Sequence, residues 1–139
     1  MTEIDVKQFG KVAVLMGGLS PEREVSLMSG QAVYQALLNK GVDVVSIDVD
    51  ESICDTLLKL KPDMAFNLLH GPLGGEDGAI LGLLEWLRIP YTGSNILASA
   101  LAMDKLKTKI IWKSQNLPVL PHVIITPETT FSDIEDTFS

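Results

Sequence analysis

Two glycine-rich loops and one basic helix hold the side chains in this sequence that could do chemistry. The first loop is "MGGLSPEREVSL" (16–27), with Glu22 and Glu24 just past a glycine pair. The second is "HGPLGGEDG" (70–78), which packs His70, Glu76, Asp77 and four glycines into nine residues. The helix is "MDKLKTKIIWK" (103–113), where Lys105, Lys109 and Lys113 recur at i, i+4 spacing on one face. A strand that turns through glycines into a helix ordinarily cradles an anion. Here that place carries carboxylates, which repel phosphate and attract an ammonium group. At an effective dielectric of ~20 such a contact is worth about 4 kcal/mol before desolvation. Acids in a first helical turn also complement the helix dipole, and both readings of Glu22 stand at this point. For His70, at the carboxyl end of an apolar run, the alternatives are a substrate-facing role and a plain turn residue. Asp77 reads as a cap for the helix that follows. A solvated basic stripe accounts for the three lysines, with Leu106, Ile110 and Leu117 facing away.

The elements that must position these groups alternate. "KVAVLM" (11–16) reads as a buried strand ended by Gly17 and Gly18. Val25, Met28, Ala32 and Ala36 then recur at helical spacing, with Val33 and Leu37 beside them. Ser20 is the expected N-cap, Pro21 the first helical residue and Gly41 the stop. A strand follows at 42–50, a short helix at 52–61 closed by Pro62, and a third strand at 63–70. Then come a helix carrying Ile80, Leu83, Leu84 and Leu87, a short fourth strand and turn at 89–94, and helices near 95–102 and 104–116. "LPVLPHVIITP" (117–127) reads as a strand outside this rhythm, and another helix starts near Phe131. Alternation of this kind predicts an α/β fold, an open and mostly parallel sheet with helices on both faces. With strand order 2-1-3-4, the order reverses between strands 1 and 3. Ligands bind outside the carboxyl ends of strands at such a reversal, which is where the two glycine-rich loops would meet.

Bulk properties narrow the classes. The chain has 139 residues, 46% hydrophobic and 21% charged, which fits one folded domain. Its 11 basic and 18 acidic residues give a net charge of −7, which argues against nonspecific nucleic-acid binding. No apolar run approaches the ~20 residues of a membrane span. Residues 1–10 read as a leader without an apolar signal core, which points to a cytoplasmic protein. The single Cys54 lies among Ile53, Leu57 and Leu58 and reads as a small buried hydrophobe. G-x-G-x-x-G and G-x-x-x-x-G-K-[ST] are absent, which disfavours a nucleotide-dependent dehydrogenase.

Taken in order, "GGLSPEREVSLMSG", "HGPLGGEDG", "LLEWLRIPYTGS" and "ASALAMDKLKTKIIWKSQNLPV" resemble the D-alanine–D-alanine ligases of the ATP-grasp superfamily. Two departures stand out: one residue more than the usual H-G-x-x-G-E-D-G precedes Glu76, and Leu81 stands where the family commonly has Gln. The resemblance implies a Rossmann-like N-terminal substrate-binding domain over 11–103. It implies that 104–139 form a linking helix and the start of a truncated ATP-grasp central domain. The activity implied is ATP-dependent joining of two D-alanines through an acyl phosphate, for peptidoglycan synthesis, in a homodimeric full-length protein. Glu22 matches the catalytic glutamate that binds the first D-alanine's ammonium. Val25 and His70 match further substrate neighbours, and Lys105 a lysine that reaches ATP. Ser20 and Glu76 match residues that shape the loops. The Mg2+ ligands are expected outside this chain, so the 139-residue chain alone is expected to be inactive. The alternative reading is a noncatalytic α/β module that binds a small amino acid in the same crevice.

Overall fold

A computed structural model describes residues 5–72 and 74–138. They form two compact units, 1–103 and 104–139, with residues 1–4 of the first and Ser139 of the second outside the described residues.

The first unit is built on β1 (Lys11–Gly17), α1 (Arg23–Asn39), β2 (Asp43–Val49), α2 (Ile53–Leu60), β3 (Met64–Asn67), α3 (Ala79–Trp86) and α4 (Ile96–Met103). The three strands are parallel in the order β2-β1-β3. Lys11 pairs with Asp43 and Gly17 with Val49 on one side of β1, and Val12 pairs with Met64 and Leu15 with Asn67 on the other. β1 is therefore central. Its run from Val12 to Gly17 is buried throughout, as expected of a strand covered on both faces. The expected fourth strand is a single bridge, Ala65 with Tyr91, held by the Ala65 N–H to the Pro90 carbonyl (2.8 Å) and the Thr92 N–H to the Ala65 carbonyl (3.1 Å).

Alternation along β1 divides the core. Ala13 and Leu15 join Ile47, Val49, Leu57, Ala65, Leu81 and Leu84 in one buried cluster, to which α2 and α3 contribute. Met16 points the other way, towards α1. A Cβ on Gly30 would collide with the Met16 Cβ, so α1 rests on the sheet through a glycine. This corrects the expected packing face. Val25 and Met28 are exposed, as are Ala32 and Ala36, while Ser26 and Gly30 are buried and Val33 and Leu37 half-buried. Close approach of helix and strand selects small residues over large ones at the contact.

Local geometry departs from expectation at two other places. Ser20 and Pro21 precede α1, whose N-cap is Glu22. Cys54 is exposed on the outer side of α2. The Gly41 stop is as read: Gly41 has φ 78°, and the Val42 N–H reaches back to the Leu37 carbonyl at 3.2 Å.

The second unit holds α5 (Lys105–Ser114) and α6 (Phe131–Phe138). Asp104 caps α5, its Oδ1 accepting from the Lys107 N–H at 2.9 Å. Residues 117–126 form no strand. Among the described residues no neighbouring strand pairs with them, and an extended segment needs such a partner to satisfy its ladder.

Candidate functional site

The strand order reverses between β1 and β3, and the two glycine-rich loops lie together at the carboxyl ends of those strands. Three serine hydroxyls reach from the first loop and α1 to residues 68–70. Ser20 Oγ accepts from the Glu22 N–H at 3.0 Å and donates to the His70 carbonyl at 2.6 Å. Ser26 Oγ accepts from the Gly17 N–H at 2.9 Å and donates to the Leu68 carbonyl at 2.6 Å. Ser29 Oγ lies 3.3 Å from His70 Nε2. Ser26 is wholly buried, and its hydroxyl meets a donor from the end of β1 and an acceptor from the chain leaving β3. Where the loops touch, Gly71 has φ 72°, and a Cβ there would sit 3.0 Å from Ser20 Oγ and 3.1 Å from Glu22 Oε1. Only glycine takes that conformation at that distance without strain.

Glu22 lies at the same contact between the loops. It occupies the N-cap position of α1 but makes no capping bond. Among the described residues its carboxylate has no hydrogen bond or ion pair. The adjacent Arg23 does not supply one, because both its terminal nitrogens bind Asp48 at 2.6 Å and Nη1 also reaches the Gly18 carbonyl. That bidentate pair holds the Asp48 carboxyl below its ordinary range, chiefly through the Arg23 hydrogen bonds. The pair lines an open groove of about 520 Å³ together with Gly18, Leu19, Ser20, Val49 and Asp50.

His70 is half-buried opposite α1. Its Nδ1 lies 3.4 Å from Glu76 Oε1, and the other Glu76 oxygen accepts from the Gly71 N–H at 3.1 Å. Glu76 thus grips both the ring and the backbone of its own loop. Asp77 accepts from the Ala79 N–H at 3.0 Å at the start of α3. Val25, one turn after Glu22, is 52% exposed, which leaves its side chain available to a ligand rather than to the core. Of the residues singled out in the sequence, Glu22, Val25, His70 and Glu76 share the first unit, and Lys105 opens α5 in the second. Ser26 and Ser29 were not anticipated. Their signal is the spacing of "EREVSLMS", which puts Glu22, Ser26 and Ser29 on neighbouring turns of one helix face. Among the described residues no three of His, Cys, Asp and Glu gather to hold a metal ion.

Residues 11–59 match the family described as D-ala D-ala ligase N-terminus. A D-alanine–D-alanine ligase of Pseudomonas entomophila is 59% identical over 125 residues, covering 90% of this chain and 39% of the relative. The chain is similar to the N-terminal portion of the D-alanine–D-alanine ligases. Among solved structures, the D-alanine–D-alanine ligase from Bacillus anthracis superposes with a TM-score of 0.77 at 36% identity, covering 91% of this chain and 42% of that one. The same organism's ligase complexed with ATP gives a TM-score of 0.76 at 32% identity, covering 91% and 44%. The chain thus spans about two fifths of the length of these ligases. The matched segment 11–59 contains Ser20, Glu22, Val25, Ser26 and Ser29 of the site, whereas His70 and Lys105 lie outside it.

Proposed function

We propose that this chain supplies the amino-acid-anchoring part of an ATP-dependent ligase that joins two D-alanines. The observation that carries the reading is the unpartnered Glu22 carboxylate beside Gly71, in the crevice between the two loops. Helix-dipole complementarity alone does not call for a carboxylate placed against another loop, with the neighbouring arginine drawn off to Asp48. A small amino acid's ammonium would take up the Glu22 charge, the exposed Val25 would meet its side chain, and His70 would stand near its carboxylate. In this reading the carboxylate takes the terminal phosphoryl group of ATP with release of ADP, and the amine of a second D-alanine attacks the acyl phosphate with release of inorganic phosphate. Bound Mg2+ would neutralise charge on the phosphates during that transfer.

The residues present fit only part of this machinery. Glu22, Val25 and His70 would bind and orient the first substrate, and Lys105, exposed at the start of α5, would reach the nucleotide. In this proposal the Mg2+ ligands belong to the part of the ligases that this chain does not match. Residues 11–103 are then the substrate-binding domain, and 104–139 a linking helix with the start of a central domain. A cytoplasmic homodimer is part of the same proposal. No described helix is long and apolar enough to cross a membrane. The noncatalytic binding module is not favoured, because the relatives reported above are named as ligases.

Binding to the chain itself tests the anchor. Amide NMR during addition of D-alanine should show saturable shifts at Val25 and Gly71 that vanish in Glu22→Gln. Shifts of equal size in Glu22→Gln, or none in the parent chain, would contradict the role.

A further inference from the structure

We infer that Ser26 is a positioning residue that breaks the β1–β3 ladder at its next rung and fastens the chain leaving β3 to the helix bearing Glu22. In the parallel register Leu15 stands opposite Asn67, so Met16 and Leu68 would be the next pair. Half of that pair's bonding is in place: the Leu68 N–H donates to the Leu15 carbonyl at 3.0 Å. Regular parallel pairing would complete it with the Gly17 N–H donating to the Leu68 carbonyl. Both groups bond Ser26 Oγ instead, at 2.9 and 2.6 Å. A backbone N–H only donates and a carbonyl only accepts, so the hydroxyl accepts from Gly17 and gives its single hydrogen to Leu68. Ser26 is wholly buried, so water does not compete for either group.

The bond that β1 gives up goes to α1. The Ser26 N–H also donates to the Glu22 carbonyl at 3.1 Å, so the residue that holds Leu68 holds the helix start as well. Two residues after Leu68, the His70 carbonyl accepts from Ser20 Oγ at 2.6 Å. Residues 68–70 are thus tied to the entrance of α1, and Gly71 arrives against the Glu22 carboxylate. A direct rung would draw Leu68 onto β1 and carry His70 and Gly71 away from Glu22. The consequence for a ligand rests on the proposed ligase reading, in which the first amino acid lies between Glu22 and His70 and the Ser26 oxygen sets their spacing. The broken rung itself does not, and it is measured without any ligand.

Through-hydrogen-bond NMR couplings between amide nitrogens and carbonyl carbons, measured on the isotope-labelled 139-residue chain, show which ladder bonds exist. The parent chain should couple the Leu68 nitrogen to the Leu15 carbonyl and show no coupling from the Gly17 nitrogen to the Leu68 carbonyl, while the Gly17 amide still exchanges slowly. A direct Gly17–Leu68 coupling, or a Gly17 amide that exchanges as fast as an exposed one, would overturn the inference. In Ser26→Ala, the D-alanine shifts at Val25 and Gly71 should saturate only at about tenfold higher concentration or more. Ile47→Val, in the buried cluster on the opposite face of the sheet, lowers stability without touching the rung and should keep the parent affinity. Parent affinity in Ser26→Ala, or an equal loss in Ile47→Val, would leave Ser26 without a positioning role. The parent couplings decide even if Ser26→Ala folds poorly. A direct Gly17–Leu68 coupling with D-alanine still bound would remove Ser26 alone. An intact relay with no D-alanine binding to the parent chain would remove the ligand reading, and the positioning role with it.

Discussion

Ser20 and His70 stand 50 residues apart in sequence and are joined by a 2.6 Å hydrogen bond from the serine hydroxyl to the histidine carbonyl. Because the same hydroxyl accepts from the Glu22 N–H, one oxygen sets the backbone on both sides of the crevice. Ser20 is 7% exposed, so water cannot easily replace it. Ser20→Ala should therefore leave two partly buried groups unsatisfied and lower stability by about 1–3 kcal/mol. Urea unfolding checks this, together with faster hydrogen exchange at Glu22. Stability within experimental error of the parent would show that the contact is incidental.

Gly71→Ala should be costlier at the site than its size suggests. The positive φ alone costs roughly 1–2 kcal/mol for a residue with a Cβ. The added methyl would press on Ser20 Oγ and Glu22 Oε1 at 3.0 and 3.1 Å, so the Glu22 carboxylate would have to shift. D-alanine shifts in the amide spectrum should weaken together with the melting temperature. An unchanged D-alanine titration would place the ligand away from Gly71.

The Arg23–Asp48 pair has a pH signature. Asp48 titrates below its ordinary value of 3.8, first because of the Arg23 hydrogen bonds and then because of the guanidinium charge. A depressed folded value means stabilisation that is complete above 3.8 and lost as pH falls through the lower folded value. The pair should contribute nothing to any change between pH 5 and pH 8. Carboxyl NMR of Asp48 should give a midpoint below 3.8 in the parent and a higher one in Arg23→Ala. A parent midpoint at or above 3.8 would contradict the bidentate geometry.

The strand–loop–helix plan was legible in the sequence, since an apolar run, a glycine pair and a helical period are all local signals. The strand order assumed from doubly wound folds, once β1 proved central, brings the two loops together. What hydrophobicity could not show was which face of α1 packs. Val25 and Met28 look like core residues, but Gly30 must sit against Met16, and the helix turns to let it. That rotation leaves Val25 and Glu22 at the crevice and buries Ser26. The helical spacing of Ser26 and Ser29 is visible in the sequence, but what they bind is not, because Leu68 and His70 are distant in sequence. The expected strand near 119–125 has the composition of a strand without a partner among the described residues, and composition alone does not pair a strand.

The 139-residue chain by itself should not make D-alanyl-D-alanine. Phosphoryl transfer depends on positioned metal ions and basic groups, and the described residues hold no metal cluster. Phosphate release from ATP that requires D-alanine, catalysed by the purified chain, would show that the machinery is complete within it.

Steady-state kinetics of Glu22→Gln, made in the proposed full-length ligase, tests the central claim most directly. The substitution keeps shape and removes the charge that would face the ammonium. Glu22 is exposed in this chain; with the ammonium enclosed against it in the full-length ligase, truncating one partner of that charged pair would cost roughly 2–5 kcal/mol, and 1.4 kcal/mol is about tenfold. The kcat/KM for D-alanine should fall about 30-fold or more while the KM for ATP changes little. Near-parental D-alanine kinetics with a lowered melting temperature would reduce Glu22 to a helix-start residue and contradict the account.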